Sequence, residues 1–387
     1  MATSLRIVFL AGCDYGHTWQ PTQEIFSRVL SAGHRVLYIE PTGTRNLGWR
    51  DYGRLMTRLQ HAFLTYPEAP ITPSGTIYAP LVLPFPFSGV ARVFNRWLIL
   101  RAIRRWLSPA RKADVLWVWF PSSLNADLAV LLWPVVTVYH VMSSIEGASL
   151  HPQLVEAHRK LMGEADLVFA NSATLFKALS PENPRTHLFR AGVHVEQFRQ
   201  ASPRPRDLPP RDRTIIGYCG AVHRWVDLTL LGKLAEAMPK TKFVMVGPVL
   251  VDISALRQHR NLLWLGQKPH QDVPAYLREF DVAIIPYVQD AYTATSFPAK
   301  VHEYLMMGKP VVAMTSPELE AYNQEFHVLR LATDADSFVK EIQDALHESP
   351  LKAKWYAEVA LRHDWPLQMA NMMGLIQRQR ELKGYAP

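Results

Sequence analysis

Short aliphatic and β-branched runs, apolar along nearly their whole length and separated by helical stretches, constrain the fold of this chain more than any other feature. Arg6–Leu10, Val36–Ile39, Val115–Trp119, Val135–Tyr139 and Leu167–Ala170 occupy the first half. Ile215–Tyr218, Lys242–Val246, Leu262–Leu265, Val282–Pro286 and Val311–Ala313 occupy the second. A strand wetted on one face alternates polar and apolar side chains, whereas an apolar run belongs to a sheet covered on both faces. Glu24–Ala32, Leu228–Met238, Val273–Glu279 and Pro298–Met307 read as helices between the runs. Such alternation makes an α/β protein with parallel, doubly wound sheets.

The alternation stops once. Between Ala201 and Arg213 the chain carries Pro203, Pro205, Pro209 and Pro210 among four arginines, a composition that continues neither a helix nor a strand. A chain of 387 residues exceeds one ordinary core, so this break is read as a linker at residues 201–213. It separates an N-terminal domain (1–200) from a C-terminal domain (214–365). A last helix is expected in 366–387, with the option of packing back on the first domain.

Composition narrows the classes. The chain is 48% hydrophobic and 20% charged, which excludes disordered and fibrous proteins. Cys13 and Cys219 are its two cysteines, so no disulfide framework or zinc cluster is expected, and a reducing cytoplasm fits. Ile7–Gly12 is too short an apolar run for a signal peptide, and no stretch approaches the roughly 20 residues that span a bilayer. The net charge of +8 suits an anionic substrate or an acidic membrane surface, and equally an ordinary basic protein; nucleic acid is not expected.

Residues of the second half resemble a known family. Ser296-Phe297-Pro298-Ala299-Lys300-Val301-His302-Glu303-Tyr304-Leu305-Met306-Met307-Gly308-Lys309-Pro310 is similar to the donor-site signature of GT-B glycosyltransferases of the family 4 type, including bacterial teichuronic-acid-type transferases. Glu164–Val168 with Ser172, Arg190–His194 with Phe198, Gly217–Gly220 and Asp281–Tyr287 resemble further family segments. The resemblance implies two Rossmann-like domains facing across a cleft, and metal-independent transfer from a nucleotide-diphosphate sugar. That sugar is a substrate rather than a cofactor, with uridine preferred to guanosine as the base. The acceptor is expected to be a glycan, a lipid-linked molecule or a secondary metabolite.

The residues support this reading on their own chemistry. A diphosphate needs cations or backbone N–H groups, and a ribose needs an acceptor for its hydroxyls. Lys300 in the first turn of a helix, with Glu303 at i+3 on the same face, supplies both from one element. Free N–H groups at that helix start are expected to help. Gly220 begins a turn that lets backbone approach phosphate, and Arg224 is a bidentate clamp for it. Tyr287 follows a strand's C-terminal end, where doubly wound sheets bind ligands. The competing readings are an exposed Lys–Glu pair, a loop arginine and a core-edge tyrosine. The family's upstream glutamate is replaced by Thr295, beside Ser296, which alters the expected contact to the donor sugar.

In the first domain, the glycine-flanked loop after Leu10 offers Asp14 and His17 as acid–base candidates. Relatives commonly carry a Tyr-Asp-x-x-Asp pair after a later strand; here Tyr139-His140-Val141-Met142-Ser143 stands in its place. His140 and Glu146 are the nearest titratable substitutes. Loss of the carboxylates points to retention over inversion, since a departing phosphate can take the acceptor proton. Ala91–Trp106, rich in tryptophan and arginine, reads either as a core-facing helix with a solvated basic side or as one lying on an anionic bilayer at the cell membrane's inner face. A sugar-nucleotide epimerase is the alternative within catalysis; a lapsed transferase that only holds nucleotide or membrane is the alternative outside it.

Overall fold

The computed structural model describes residues 4–15, 20–41, 74–80, 82–83, 85, 87–144, 151–210 and 212–385. His17 and Glu146 lie outside the described residues. The chain divides into two compact units. The first comprises residues 1–171, 175–189 and 369–387, and the second 172–174 and 190–368.

The first unit is built on a seven-stranded sheet of order β3-β2-β1-β4-β5-β6-β7. Its strands are β1 (Arg6–Leu10), β2 (Arg35–Ile39), β3 (Gly75–Tyr78), β4 (Val115–Val118), β5 (Val136–Val141), β6 (Leu167–Ala170) and β7 (Thr186–Leu188). Every pairing between them is parallel. The apolar runs fill the centre: β1, β4 and β6 bury residues on both faces, including Phe9, Trp117 and Phe169. Helices α1 (Pro21–Ser31), α2 (Gly89–Leu107), α3 (Ser123–Leu132), α4 (Pro152–Glu164) and α5 (Ala173–Leu179) supply the connections.

The second unit carries a six-stranded parallel sheet of order β10-β9-β8-β11-β12-β13. Its strands are β8 (Ile215–Cys219), β9 (Lys242–Val246), β10 (Leu262–Gly266), β11 (Val282–Ile285), β12 (Val311–Met314) and β13 (Leu329–Ala332). Around them lie α6 (Val195–Arg199), α7 (Leu228–Ala237), α8 (Val273–Arg278), α9 (Lys300–Met306), α10 (Pro317–Phe326), α11 (Ala335–Leu346) and α12 (Lys352–Leu361). Strand order reverses between β8 and β11, as it does between β1 and β4 in the first unit. In open α/β sheets such a reversal opens a crevice at the strands' C-terminal ends.

One boundary differs from the sequence reading. The proline-rich segment 201–210 does not bridge the units but lies along the second. Leu208 is buried in that unit's core. Arg204 bonds Glu279 at 2.6 Å, and Lys268 Nζ meets Asp207 at 2.6 Å. Proline removes helix and strand as options without making a segment free, and here side-chain partners hold it. The chain instead changes unit at 171–190, where Thr174 and Arg190 are anchored by one carboxylate. Glu318 Oε2 accepts from the Thr174 amide at 2.9 Å, and Glu318 Oε1 from Arg190 Nε at 3.1 Å.

The chain returns to the first unit at its C-terminus. Helix α13 (Trp365–Leu382) belongs from Met369 onward to the first unit. There Ile376 is fully buried. Lys383 Nζ pairs with Asp166 at 2.6 Å and donates to the Val135 carbonyl at 2.9 Å.

The Arg190–Glu318 pair is buried, and Arg190 also lies over the rings of Phe297 and Tyr322 at 5.6 and 5.0 Å. Removing Glu318 leaves the buried guanidinium with only the exposed Glu325, 3.2 Å from its Nη1, as a counter-charge. Glu318→Ala is expected to destabilise the protein by about 3–5 kcal/mol, read as a lower urea midpoint.

Candidate functional site

At the reversal of the second sheet, β8 ends in Tyr218-Cys219 and then turns at Gly220, while β11 ends at Ile285 and runs through Pro286 to Tyr287. The amine of Lys300, first residue of α9, lies against both strand ends. It donates to the Tyr218 hydroxyl at 3.1 Å and the Tyr287 hydroxyl at 2.5 Å. It also sits 4.4 and 4.9 Å from the centroids of the same two rings. Burial disfavours an ammonium, but the two tyrosines outweigh it and raise the Lys300 pKa well above its ordinary value. A fixed, half-buried cation therefore stands at the crevice.

The glycine turn is shaped to that cation. Gly220 has φ +144°, and a Cβ there would stand 2.8 Å from Lys300 Nζ. Its amide donates to the Val246 carbonyl at 2.8 Å, and Tyr218 donates to the Ala221 carbonyl at 2.9 Å. The adjoining turn after β9 comes closer still: Gly247 has φ +142°, and a Cβ would lie 2.1 Å from the Gly220 carbonyl oxygen. The two turns thus approach so closely that a side chain at 247 would meet the Gly220 backbone. Tyr304, one turn along α9, donates to the Cys219 carbonyl and accepts from the Cys219 amide at 2.8 Å, fixing helix to strand.

Glu303 lies one turn after Lys300 and is half-buried. Burial raises its pKa; His270, Lys300 and His194 pull the other way without cancelling the effect. The two imidazoles are edge to face with centroids 5.7 Å apart, and Gln197 Nε2 donates to the His270 carbonyl at 2.7 Å. The site is therefore a cation, a carboxylate and two histidines around a double-glycine turn. Such a set has the chemistry to meet phosphate at one end and hydroxyls further on.

The remaining donor-side candidates are arranged around this centre. Arg224 is exposed, with its guanidinium 5.2 Å from the Trp225 ring centroid. Trp225 stacks between His223 and Tyr292 at 4.3 Å from each. Thr295 directs its hydroxyl at the Tyr292 carbonyl, 3.3 Å away, and its own carbonyl accepts from Ser172 at 2.6 Å. Ser296 lies against the Tyr292 hydroxyl. One expectation changes. Helix α9 starts at Lys300 and not Pro298, and the Val301 and His302 amides bond the Pro298 and Ala299 carbonyls at 3.0 and 3.2 Å. Those two N–H groups are thus not free for phosphate, because the chain enters the helix through a tight turn.

In the first unit, Asp14 is half-buried in the turn after β1. Gln23 donates to its carbonyl at 3.3 Å, and Tyr38 to the Cys13 carbonyl at 2.8 Å. His140 stands inside β5 and does not follow it as the sequence reading had placed it. It is 2% exposed and stacks on Trp119 at 4.1 Å. Burial lowers its pKa to about 3, so it is neutral near pH 7. Tyr218, Gly247, His194 and His270 were not singled out as site residues by sequence reasoning. Tyr218 and Gly247 carried a signal, as residues at strand ends beside glycine turns. The two histidines come from separate segments that only folding brings together.

Part of the sequence and the fold resemble known proteins. Residues 213–348 match the family of glycosyl transferases group 1. A teichuronic acid biosynthesis glycosyltransferase of Bacillus subtilis, TuaH, is 29% identical over 171 residues. That match covers 42% of this chain and 43% of the relative, so the chain spans less than half the length of the curated protein it matches. Sucrose-phosphate synthase from Thermosynechococcus elongatus superposes with a TM-score of 0.71 at 15% identity, covering 99% of this chain and 100% of its own. Anabaena HepE in complex with UDP and glucose gives 0.66 at 15% identity, covering 96% and 98%. The fold is that of the GT-B glycosyltransferases.

Gly247→Ala is expected to destabilise the protein more than Gly220→Ala. The first Cβ meets backbone, whereas the second meets the movable end of Lys300; each adds roughly 1–3 kcal/mol of backbone strain. Paired urea melts compare them, and equal midpoints would remove the close-approach argument.

Proposed function

We propose that the protein is a GT-B glycosyltransferase that takes a sugar from a nucleotide-diphosphate donor, with uridine as the base, and passes it to a glycan, lipid-linked or secondary-metabolite acceptor. The observation that carries this reading is the Lys300 ammonium fixed by Tyr218 and Tyr287 beside Gly220, with Glu303 one helical turn away. Lys300 and Arg224 would bear on the diphosphate, and Glu303 would accept from the ribose hydroxyls. Tyr287, Thr295 and Ser296 would border the donor. The UDP and glucose held by Anabaena HepE support uridine and a hexose.

Transfer breaks the bond between the anomeric carbon and the phosphate oxygen and makes one to an acceptor oxygen. The diphosphate leaves with an added negative charge, and a cation already in place stabilises that charge without reorganising. The acceptor proton must go to a base. His140, buried and with its pKa near 3, accepts one poorly. That favours a retaining course in which the departing phosphate oxygen takes the proton, with Asp14 and His17 orienting the acceptor and no metal ion required.

Nucleotide diphosphates should raise the melting temperature by binding the folded state, one base more than the others, with a smaller shift for Glu303→Ala. No response to any nucleotide or nucleotide sugar would overturn the reading. Isomerisation of the donor without acceptor would mark an epimerase instead.

The affinity should also depend on pH. Ribose binding needs Glu303 ionised, and its pKa is raised; affinity should therefore be full near neutrality and fall on acidification at a higher pH than an ordinary carboxylate would set. Titration calorimetry of Glu303→Gln against the native protein should show weaker binding in the variant and a flatter acid limb.

A further inference from the structure

Helix α2 does not have the two-sided pattern its sequence suggests. Ala91, Asn95, Ile99, Ile103 and Leu107, four residues apart, form the buried stripe. The opposite face is stepped at three and four residues through Val90, Val93, Phe94, Trp97, Arg101, Arg104 and Arg105, all exposed. Apolar and basic side chains thus share one face and are sorted along the axis, with the apolar ones in the first turns and the arginines in the last. Val90 is 81% and Trp97 55% exposed, uncommon values for such residues in a helix that also feeds the core. Gly89, Val90, Val93, Phe94 and Trp97 border an open apolar depression of about 570 Å³.

The charges on this face are not satisfied from within. Arg92 and Arg96, nearer the core side, turn to Asp127 at 3.6 and 3.3 Å. Arg101 lies over Trp97 at 5.7 Å, and no ion pair to a described residue engages Arg101, Arg104 or Arg105. No aspartate or glutamate occurs from Ser88 to Ala113.

We propose that this face docks on an anionic lipid bilayer, with Val93, Phe94 and Trp97 entering the boundary between headgroups and acyl chains and Arg101, Arg104 and Arg105 meeting lipid phosphates. A tryptophan between an apolar body and a basic end suits that depth, where its ring is buried and its N–H stays wet. Charge decides the occupant. An acid-free arginine cluster that no described carboxylate pairs complements a continuous negative surface, and the apolar residues beside it give the helix insertion as well as attraction. Docking on this face would bring the protein to membrane-borne acceptors, although the inference stands on α2 and not on the donor site.

Co-sedimentation of the full chain with phosphatidylcholine vesicles, with and without about a third phosphatidylglycerol, tests it. Binding is expected to the anionic vesicles only and to weaken with salt. Arg101→Ser, Arg104→Ser and Arg105→Ser combined should weaken it on the order of 100-fold. Val93→Ser, Phe94→Ser and Trp97→Ser combined should also release the protein, and should abolish the blue shift of tryptophan fluorescence on binding. Because these side chains are exposed, both variants should keep the native melting temperature and its nucleotide-induced shift, which separates this test from that of the donor site. Undiminished vesicle binding in either variant would overturn the proposal. So would a native dimer in size-exclusion chromatography that the apolar variant converts to monomer without any loss of lipid binding.

Discussion

The second unit depends on the placement of one cation. Lys300 Nζ is held by two tyrosine hydroxyls from neighbouring strands, β8 and β11, at the point where the sheet reverses its order. Desolvation works against an ammonium there; hydroxyl dipoles and ring faces work for it, and they win. The surroundings are organised by that outcome. Gly220 must lack a side chain because the amine occupies the space, and Gly247 must lack one because Gly220 is already close. Glu303, carried on the same helix, gains its elevated pKa from the same half-buried position.

The first unit uses its residues differently. Near its equivalent reversal, between β1 and β4, described residues pack by aromatic stacking. Trp117, Trp119 and His140 stack in sequence, with Trp119 4.1 Å from the imidazole. At His140 this chain places a neutral ring inside a strand. A carboxylate there would need water or a counter-ion, whereas a histidine at a pKa of about 3 needs neither. The neutral ring therefore keeps this part of the core intact.

Much of this was legible beforehand. The central strands were read within a residue or two because burial on both faces writes itself as an uninterrupted apolar run. Strands β3, β7 and β13 escaped because Gly75–Tyr78, Thr186–Leu188 and Leu329–Ala332 are short and partly wet, as sheet edges are. Lys300 and Glu303 could be paired from their i, i+3 spacing alone. His194 and His270 could not, since 76 residues separate them and no local pattern joins them. Arginine and tryptophan on α2 were visible too, but which of its faces meets the core was not.

Local periodicity and residue chemistry in the sequence determined that this chain forms two parallel-sheet units and that one short helix carries a lysine and a glutamate on a common side. Those properties depend on neighbours within a few residues, so they survive in one dimension. Tertiary structure alone decided the rest: that Tyr218 and Tyr287 converge on the lysine, that His140 is sealed inside β5, that a proline-rich stretch is strapped to the second unit, and that Trp97 faces outward beside unpaired arginines. Each of these depends on which distant segments compete for the same space, and packing, not propensity, settles that competition.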